Sequence, residues 1–513
     1  MSRVRREESM PRNSQAGDWL FEEDQPTQDI VPAEKRGHIM CGGASGIAPV
    51  FSEEQLKELL ESQAKAGAGI RVVSSGWSWN PIIEAREDCL NVFLAGDLST
   101  RCEIDAASRS ARVSGGLMIC DFISQLLNKA PDLEWAPKGN CFLPNSSQCF
   151  AGFIATNVHH SWTPTAYDHV RSFRIANFDD QRCAQIVTAS RETNLDLFES
   201  VFGGVGITGI IVEVELLQRP ATYYNLQCEG PAHYEPSELK SLLMRVVEVK
   251  GSWSFVLPTE HQYQTKIVTQ LEGVHAEQAA DLYRVKPAAG KKWSKPMPRT
   301  RPVTACSLRG GFWRWLESRV ARKLFQKQNE SSVWEGQGLN PYKAFSMSAS
   351  RANLDGSDDP VRKGHVMWSA SSAGYLDDMS MFVPVEQYEL FVDIWLSHVT
   401  NMPPALIGMR FLPRPETASP TGGGLLACNA QRDCVAFEFL SLGKIQSMTS
   451  KRCLCCGCGQ TRMVDWMEDF CDDLFASGLR LQLHLGKTGD LCKIIQHTYA
   501  VTRNMEDKYD SCL

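Results

Sequence analysis

Apolar residues recur along the chain with two different spacings, and each spacing predicts one type of element. Apolar positions three and four residues apart predict helices over 238–250, 385–399 and 461–478. Short apolar runs rich in β-branched and aromatic residues predict strands over 365–371, 405–412 and 434–440. The second half of the chain is therefore expected to mix helices and strands.

The first half of the chain predicts a similar mixture. Ser52 has the properties of a helix N-cap, because acidic residues fill the following turn and glycine ends the apolar pattern. Strands are predicted over 69–74 and over Gly209–Leu216, with Pro220 closing the second of them. The whole chain is therefore predicted to belong to the α+β class.

At 513 residues the chain is long enough for two or three domains. Residues 1–34 are polar, carry two prolines and lack apolar periodicity, which predicts a disordered arm. Residues 35–222 are predicted to form one domain, and a second, mixed domain begins at residue 223.

Charge and hydropathy exclude several classes of partner. The 53 basic and 60 acidic side chains give a net charge of −7 without a basic cluster, so nucleic acid is not expected as a partner. No apolar run reaches the roughly 18 to 20 residues of a membrane span. The N-terminus has arginines but also Glu7 and Glu8, so it is not a secretory signal and is a poor mitochondrial presequence. A cytoplasmic location is predicted, with a mitochondrial one as the weaker alternative.

The 18 cysteines are spread over the chain, and without a secretory signal they are predicted to be free thiols. Cys453, Cys455, Cys456 and Cys458 form one dense run. Zinc sites usually use separated pairs of cysteines, so an unpaired or redox-active surface loop is favoured over a metal site. No metal is predicted.

Three glycine-bearing stretches in the first domain suggest a phosphate-containing ligand. They are Ser74–Ser78 with the sequence SSGWS, Ser114–Gly116, and Gly203–Ile210 with the sequence GGVGITGI. Small residues allow backbone N–H groups to approach a pyrophosphate closely. None of them matches the Rossmann or Walker pattern, and each alone is more typical of a plain turn than of a ligand loop.

The segment 149–175 lies between the second and the third of these stretches. Taken together and in this order, the stretches and the segment resemble the PCMH-type FAD-binding domain of the vanillyl-alcohol oxidase superfamily. The resemblance covers residues 35–222 and implies bound FAD. It places the following residues at the cofactor: Ser74, Ser75, Gly76, Trp77, Ser78, Gly115, Gly116, Ala151, Gly152, Thr156, His159, Gly206, Gly209 and Ile210.

The resemblance also shows departures from the family. Trp77 stands where many members have the histidine that is bonded to the flavin, so non-covalent FAD is implied. The stretch around His159 keeps Thr156, but Asn157 and His160 replace two glycines. Asp168 begins the family's D-x-V pattern, for which a structural role is expected.

Near the C-terminus, residues 481–487, LQLHLGK, resemble the H-W-G-K signature of the aldonolactone oxidases, with Leu485 in place of the tryptophan, a departure that favours a protein without lactone turnover. The segments 381–387 and 409–420 resemble parts of their substrate domain. The resemblance implies a substrate (cap) domain over 223–470 and a C-terminal segment, 471–513, that returns to the flavin site.

The implied chemistry is hydride transfer from a CH–OH group of a sugar or aldono-1,4-lactone, as in D-arabinono-1,4-lactone oxidase, to flavin N5. Oxygen or another acceptor would reoxidise the flavin. Lys487 is expected to stabilise charge on the reduced flavin, and Arg410 to fix or polarise the substrate. His484 either faces the ligand or orients the lysine.

One departure raises a rival hypothesis. Gly408 stands where aldonolactone oxidases usually carry a glutamate, so a carboxylate beside the substrate is expected to be missing unless Glu416 or Glu438 supplies it. Poor turnover of small aldonolactones, improved by Gly408→Glu, is therefore expected. The alternative function is a flavin-binding sensor or scaffold without lactone turnover.

Overall fold

The computed structural model describes the chain in segments, and the account below is confined to them. The segments are 47–74, 89–135, 148–159, 165–220, 223–234, 238–248, 250, 252–257, 263–269, 273–274, 286–287, 334–339, 377–399, 402, 405–417, 432–441, 463–479 and 481–484. Several predicted features therefore lie outside the described residues: the arm 1–34, the strand 365–371, the residues 75–78 of the first glycine-bearing stretch, His160, the cysteine run 453–458, and Lys487.

The chain enters the described region through a β-α-β unit. The elements are β1 (Ile47–Val50), α1 (Glu53–Ala66), β2 (Gly69–Val72) and β3 (Cys89–Leu94), and the strands are parallel in the order β1-β3-β2. The Ser52 side chain accepts a hydrogen bond from the Gln55 N–H at 3.2 Å, which confirms the predicted N-cap. Gly67 ends α1 with a left-handed backbone, a conformation that costs glycine little.

A second, antiparallel sheet follows in the strand order β4-β5-β9-β7-β8. Its strands are β4 (Cys102–Asp105), β5 (Ser110–Ser114), β7 (Val170–Phe178), β8 (Ala184–Ser190) and β9 (Ile210–Leu217). The helices of this region are α2 (Asp97–Thr100), α3 (Ile119–Lys129), α4 (Phe150–Ala155) and α5 (Leu195–Val201), and the short strands β6 (Leu133–Glu134) and β10 (Arg219–Pro220) pair with each other. The strand predicted at Gly209–Leu216 is thus confirmed as β9, one residue later.

Ion pairs connect α1 to this antiparallel sheet. Both guanidinium nitrogens of Arg174 on β7 donate to the two carboxylate oxygens of Glu53, at 2.6 and 2.7 Å. Arg101, which lies just before β4, adds a bridge: its Nη2 is 3.9 Å from Glu53 on α1 and 2.6 Å from Glu213 on β9. A bidentate pair of this kind fixes orientation as well as distance, so the β-α-β unit and the antiparallel sheet are held in one arrangement.

The remaining strands form one large sheet in the order β15-β16-β11-β13-β12-β18-β19-β17-β20, with β14 pairing at β11. Their bounds are β11 (Tyr223–Tyr234), β12 (Ser252–Leu257), β13 (Tyr263–Thr269), β14 (Gly273–Val274), β15 (Lys286–Pro287), β16 (Trp334–Leu339), β17 (Asp377–Pro384), β18 (Ala405–Leu412), β19 (Cys434–Ser441) and β20 (Gln482–Leu483). The accompanying helices are α6 (Leu239–Glu248), α7 (Tyr388–His398) and α8 (Met463–Ala476). These helices and the strands β18 and β19 confirm the periodicity-based predictions.

The central strands of this sheet have two chemically different faces. Alternate residues pack with α6, α7 and α8 into one apolar core, to which the sheet contributes Met379, Met381, Val383, Ala405, Ile407, Met409, Val435, Phe437 and Phe439. The residues between them occupy the opposite face, because successive side chains of a strand point to opposite sides. That face carries Ser380, Phe382, Gly408, Arg410, Ala436 and Glu438.

The described part of the chain mixes helices and sheets, as the α+β prediction requires. None of its helices is long and apolar enough to cross a membrane.

Candidate functional site

Ser74, the described residue of the first glycine-bearing stretch, meets the predicted cofactor segment that begins at Cys149 at the start of α4. The Ser74 hydroxyl lies 2.7 Å from the Cys149 sulfur, and Cys149 is the N-cap residue of α4. A Cβ atom on Gly152 would lie only 2.4 Å from the Ser74 Oγ. Glycine is therefore needed here for close approach of the two motifs.

The other glycine-bearing stretches contact the same helix. The Ala151 N–H donates to the Gly115 carbonyl at 2.9 Å. The N–H groups of Gly203 and Val205 donate to the carbonyls of Ile154 and Ala155 at 3.1 and 2.9 Å. All three stretches, far apart in the sequence, thus meet around α4, as the resemblance implies for a single cofactor site.

Several of the predicted cofactor residues have a packing function in this structure. A Cβ on Gly115 would lie 2.0 Å from the Ile211 carbonyl, and one on Gly116 would lie 2.7 Å from the Leu98 carbonyl. Gly209 packs equally closely against Ile175, and Ile210 belongs to the apolar core with α1. These residues shape the site through the backbone.

Two other predicted residues differ from that group. The Thr156 hydroxyl donates back to the Gly152 carbonyl at 2.8 Å and so closes the end of α4. Gly206 has a left-handed backbone, and a Cβ there would meet no described atom within 4 Å. Gly206 is therefore open to an approaching group.

Asn157 was not predicted as a site residue, yet it is a good candidate. Its φ of 50° explains why glycine or asparagine suits this position, since both tolerate the left-handed region. The side chain is buried, and among the described residues no acceptor lies within hydrogen-bond range of its Nδ2. An unpaired buried amide costs about 1–3 kcal/mol, so a polar ligand fits here. FAD offers suitable acceptors in its ring carbonyls and ring nitrogens.

His159, predicted to lie at the cofactor, is buried at the boundary with the large sheet. Its Nε2 lies 3.5 Å from the Glu438 Oε1. Its ring contacts Phe382 edge-on with centroids 4.8 Å apart, and its centroid is 5.3 Å from that of His484. His159 therefore joins the predicted cofactor motifs to the polar face of the sheet.

Arg410, predicted to fix the substrate, lies on that face. Its Nη1 donates to the Glu438 Oε1 at 2.7 Å. The strand register explains the contact: Gly408 pairs with Glu438 and Arg410 pairs with Ala436, so arginine and glutamate are diagonal neighbours on one face. The Arg410 side chain is 18% exposed and that of Glu438 is 10% exposed, so the ion pair is shielded from solvent and still reachable.

His484, the other described residue predicted to be catalytic, reaches the same place. β20 pairs with β17, and the His484 N–H donates to the Ser380 carbonyl at 2.9 Å. Its ring stacks on Phe382 at an interplanar angle of 24°. The structure thus brings Arg410 and His484 together with His159, while Lys487 lies outside the described residues.

Of the two glutamates that could replace the carboxylate absent at Gly408, Glu438 lies beside Arg410. Its Oε2 lies 3.3 Å from the place a Cβ on Gly408 would occupy, so the neighbouring strand puts a carboxylate beside Arg410. Glu416 lies elsewhere, with its N–H donating to Asp168. The sequence signal for Glu438 is its charge within the otherwise uncharged strand CVAFEFLS.

Asp168 connects the first half of the chain to the segment after β18. Its carboxylate accepts hydrogen bonds from the N–H groups of Glu416 and Thr417 at 2.8 and 2.9 Å, and from the Thr417 hydroxyl at 2.6 Å. Val170, two residues later, begins β7. These contacts are in keeping with the structural role expected of Asp168.

Other chemistries find less support in the described part of the chain. No group of three or more His, Cys, Asp or Glu is arranged there to hold a metal ion. The polar face carries the Arg410–Glu438 ion pair and Phe382, with His484 and His159 beside them.

The chain matches no protein-family profile and no curated protein sequence. Solved structures do resemble it. Berberine bridge enzyme from Eschscholzia californica is 12% identical, over 88% of this chain and 81% of that chain, with a TM-score of 0.53. A variant of berberine bridge enzyme described as a reticuline dehydrogenase gives 13% identity, 88% and 81% coverage and a TM-score of 0.53. A solvent-stable cholesterol oxidase gives 13% identity, 86% and 83% coverage and a TM-score of 0.52. The chain is therefore similar in fold to these enzymes.

Proposed function

We propose that this chain is an FAD-dependent oxidoreductase that oxidises a CH–OH group of a sugar or aldono-1,4-lactone, with FAD bound non-covalently. The observation that carries the proposal is the Arg410–Glu438 ion pair, which lies against His159 where the predicted cofactor motifs meet the large sheet. The fold likeness to proteins named as an oxidase and a dehydrogenase supports the same reaction class.

The residues that would hold FAD are those around α4. Ser74, Gly152 and Gly206 offer a surface of small residues, and the Asn157 amide offers a buried donor for a ring acceptor. His159 would border the cofactor on the side of the large sheet. Bound FAD supplies a hydride acceptor, which none of the side chains provides.

The polar face would bind and orient the substrate. Glu438 can accept, at the Oε1 that faces Arg410 and His159, a hydrogen bond from the hydroxyl that is oxidised, and a charge-assisted bond of this kind also favours loss of the hydroxyl proton. Arg410 neutralises Glu438 and can stabilise negative charge that develops on the substrate oxygen. Phe382 and His484 form an adjacent aromatic wall. Lys487 keeps its proposed role at the reduced cofactor.

The proposed partner is therefore a small-molecule substrate. Oxygen or another compound is the proposed final electron acceptor, and the cytoplasm is the proposed compartment. The test is anaerobic spectroscopy of the purified protein with a panel of sugars and aldonolactones. Bleaching of the flavin absorbance is expected with at least one of them, because a reduced flavin has accepted the substrate's hydride. A yellow protein that none of them bleaches would favour the sensor or scaffold function instead.

A further inference from the structure

Gly408 occupies an unusual position for a glycine. It lies in the interior of β18, where it pairs with Ser254 on one side and Glu438 on the other. Its φ lies outside the left-handed region, so the backbone does not require glycine. Glycine inside a strand weakens the strand and often marks a place where a ligand comes close.

The space over Gly408 is bounded by one residue of the polar face. A Cβ at this position would lie 3.3 Å from Glu438 Oε2 and 3.6 Å from Glu438 Cβ, with no other described atom within 4 Å. Gly408, Glu438 and Ser380 are paired residues on three neighbouring strands and form one row across the sheet. Glu438 and Ser380 are buried, whereas Gly408 is only half-buried. Among the described residues, the row is therefore covered at Glu438 and Ser380 but not over Gly408.

The groups beside this space are polar and charged. Glu438 Oε1 faces Arg410 and His159, and Oε2 faces the position over Gly408. An apolar group placed there would desolvate a carboxylate at considerable cost, whereas a hydroxyl can donate to it. The geometry thus suits a hydroxyl-bearing ligand.

We infer that the space over Gly408 is a substrate subsite that takes the hydroxyl-bearing side chain of a sugar ring, and that Gly408 sets the size of substrate admitted. This inference rests on the proposed function. A six-carbon aldono-1,4-lactone carries a two-carbon side chain with two hydroxyls on its ring, whereas a five-carbon lactone carries one carbon with one hydroxyl. The subsite therefore favours the six-carbon lactone.

The test compares Gly408→Ala and Gly408→Val with the unmutated, FAD-loaded protein. Binding of a five-carbon and a six-carbon aldono-1,4-lactone is measured by anaerobic calorimetry, and flavin reduction is followed separately. Gly408→Val is expected to weaken six-carbon lactone binding about tenfold to a hundredfold, the effect of one lost charged hydrogen bond. In the same variant, binding of the five-carbon lactone is expected to weaken less than about threefold. Gly408→Ala is expected to reduce the preference for the six-carbon lactone too, but by less than Gly408→Val does.

Ile407→Val is the matched control, because Ile407 is on the same strand but faces the helix core. It is expected to lower the melting temperature without changing selectivity. Equal losses for both lactones, or no loss, in folded Gly408→Val would overturn the subsite. If a lactone binds with the predicted dependence on residue 408 but never bleaches the flavin, the subsite holds and the proposed oxidation fails. If a lactone reduces the flavin but neither its binding nor the reduction depends on residue 408, the proposed oxidation holds and the subsite fails.

Discussion

At the scale of single residues, the candidate site depends on one carboxylate. Glu438 contacts Arg410 from a neighbouring strand and His159 from the other half of the chain. Its negative charge is shielded from solvent, and electrostatic effects are stronger where water is excluded. The charge of Glu438, more than its size, should therefore control the reaction.

Glu438→Gln tests this directly, because glutamine keeps the shape and an acceptor for Arg410 but removes the charge. Flavin reduction by the best substrate is expected to slow by about 10²- to 10³-fold, the usual loss for one preorganised group in a dry site. FAD content, measured by absorbance, should remain equal. Glu416→Gln is the matched control at an exposed glutamate, and its reduction rate should equal that of the unmutated chain. If the Glu438→Gln variant reduces its flavin as fast as the unmutated chain, Glu438 has no role in the proposed reaction.

A second prediction concerns attachment of the flavin. Trp77 occupies the position of the linking histidine in the resembling family, and an indole carbon or nitrogen is a poor partner for that bond. Precipitating the protein with acid should release all flavin into the supernatant, where fluorescence quantifies it. Flavin fluorescence that stays with the precipitated chain would contradict non-covalent binding.

At the scale of elements, periodicity and capping residues predicted much of the framework. Helices α1, α6, α7 and α8 and strands β18 and β19 were all predicted, because each buries one face and that burial appears in the local sequence. The Arg410–Glu438 contact could not be predicted in this way. The two residues are 28 positions apart, and only the pairing register of β18 and β19 brings them together. Asn157 was missed because an unpaired amide is visible only when its surroundings are known.

The turn before β7 gives a prediction of pH dependence. Burial, and to a smaller extent the positive charge of Arg219, lower the pKa of His169 to about 4. In the unfolded chain the pKa is near 6.5, so between pH 6.5 and 4 the unfolded state binds a proton that the folded state does not. Folding stability contributed by His169 is thus fully present above pH 6.5 and is lost as the pH falls to about 4.

The loss amounts to about 3 kcal/mol, taking 1.36 kcal/mol for each pKa unit. Urea unfolding at pH 7, 5.5 and 4.5 measures it. His169→Gln, which cannot bind this proton, should reduce the fall in unfolding free energy over that range relative to the unmutated chain. An identical pH dependence in the two proteins would show that His169 is protonated as readily in the folded state as in the unfolded one.

At the scale of the whole molecule, the site is assembled from separate parts of the chain. His159 belongs to the region of the cofactor motifs, whereas Arg410, Glu438 and His484 belong to the large sheet. The proposed reaction therefore requires that these parts keep one relative position. Asp168 contributes to this, since its carboxylate binds Glu416 and Thr417, a few residues after Arg410 on the chain.

Asp168→Ala is expected to lower kcat/KM about tenfold, a typical cost of misplacing substrate-binding groups slightly, with FAD content unchanged. Asp168→Asn keeps one acceptor oxygen and should recover part of the loss. Asp105→Ala is a matched control, because Asp105 also accepts from two N–H groups and one serine hydroxyl, but within a single local turn. The two alanine variants are expected to have similar melting temperatures, but only Asp168→Ala is expected to lose kcat/KM. Equal rates in the two alanine variants would assign Asp168 no positioning role.

The cross-strand origin of the ion pair also determines how this protein can vary in evolution. A pair fixed by strand register is insensitive to the length of chain that joins the strands, so insertions between Thr417 and Arg432 leave its geometry intact. A deletion of one residue inside β19, before Glu438, has the opposite effect, because it turns the carboxylate toward the helices and an apolar side chain toward Arg410. Relatives of this protein are therefore better recognised by a glutamate and an arginine on paired strands than by any contiguous sequence motif.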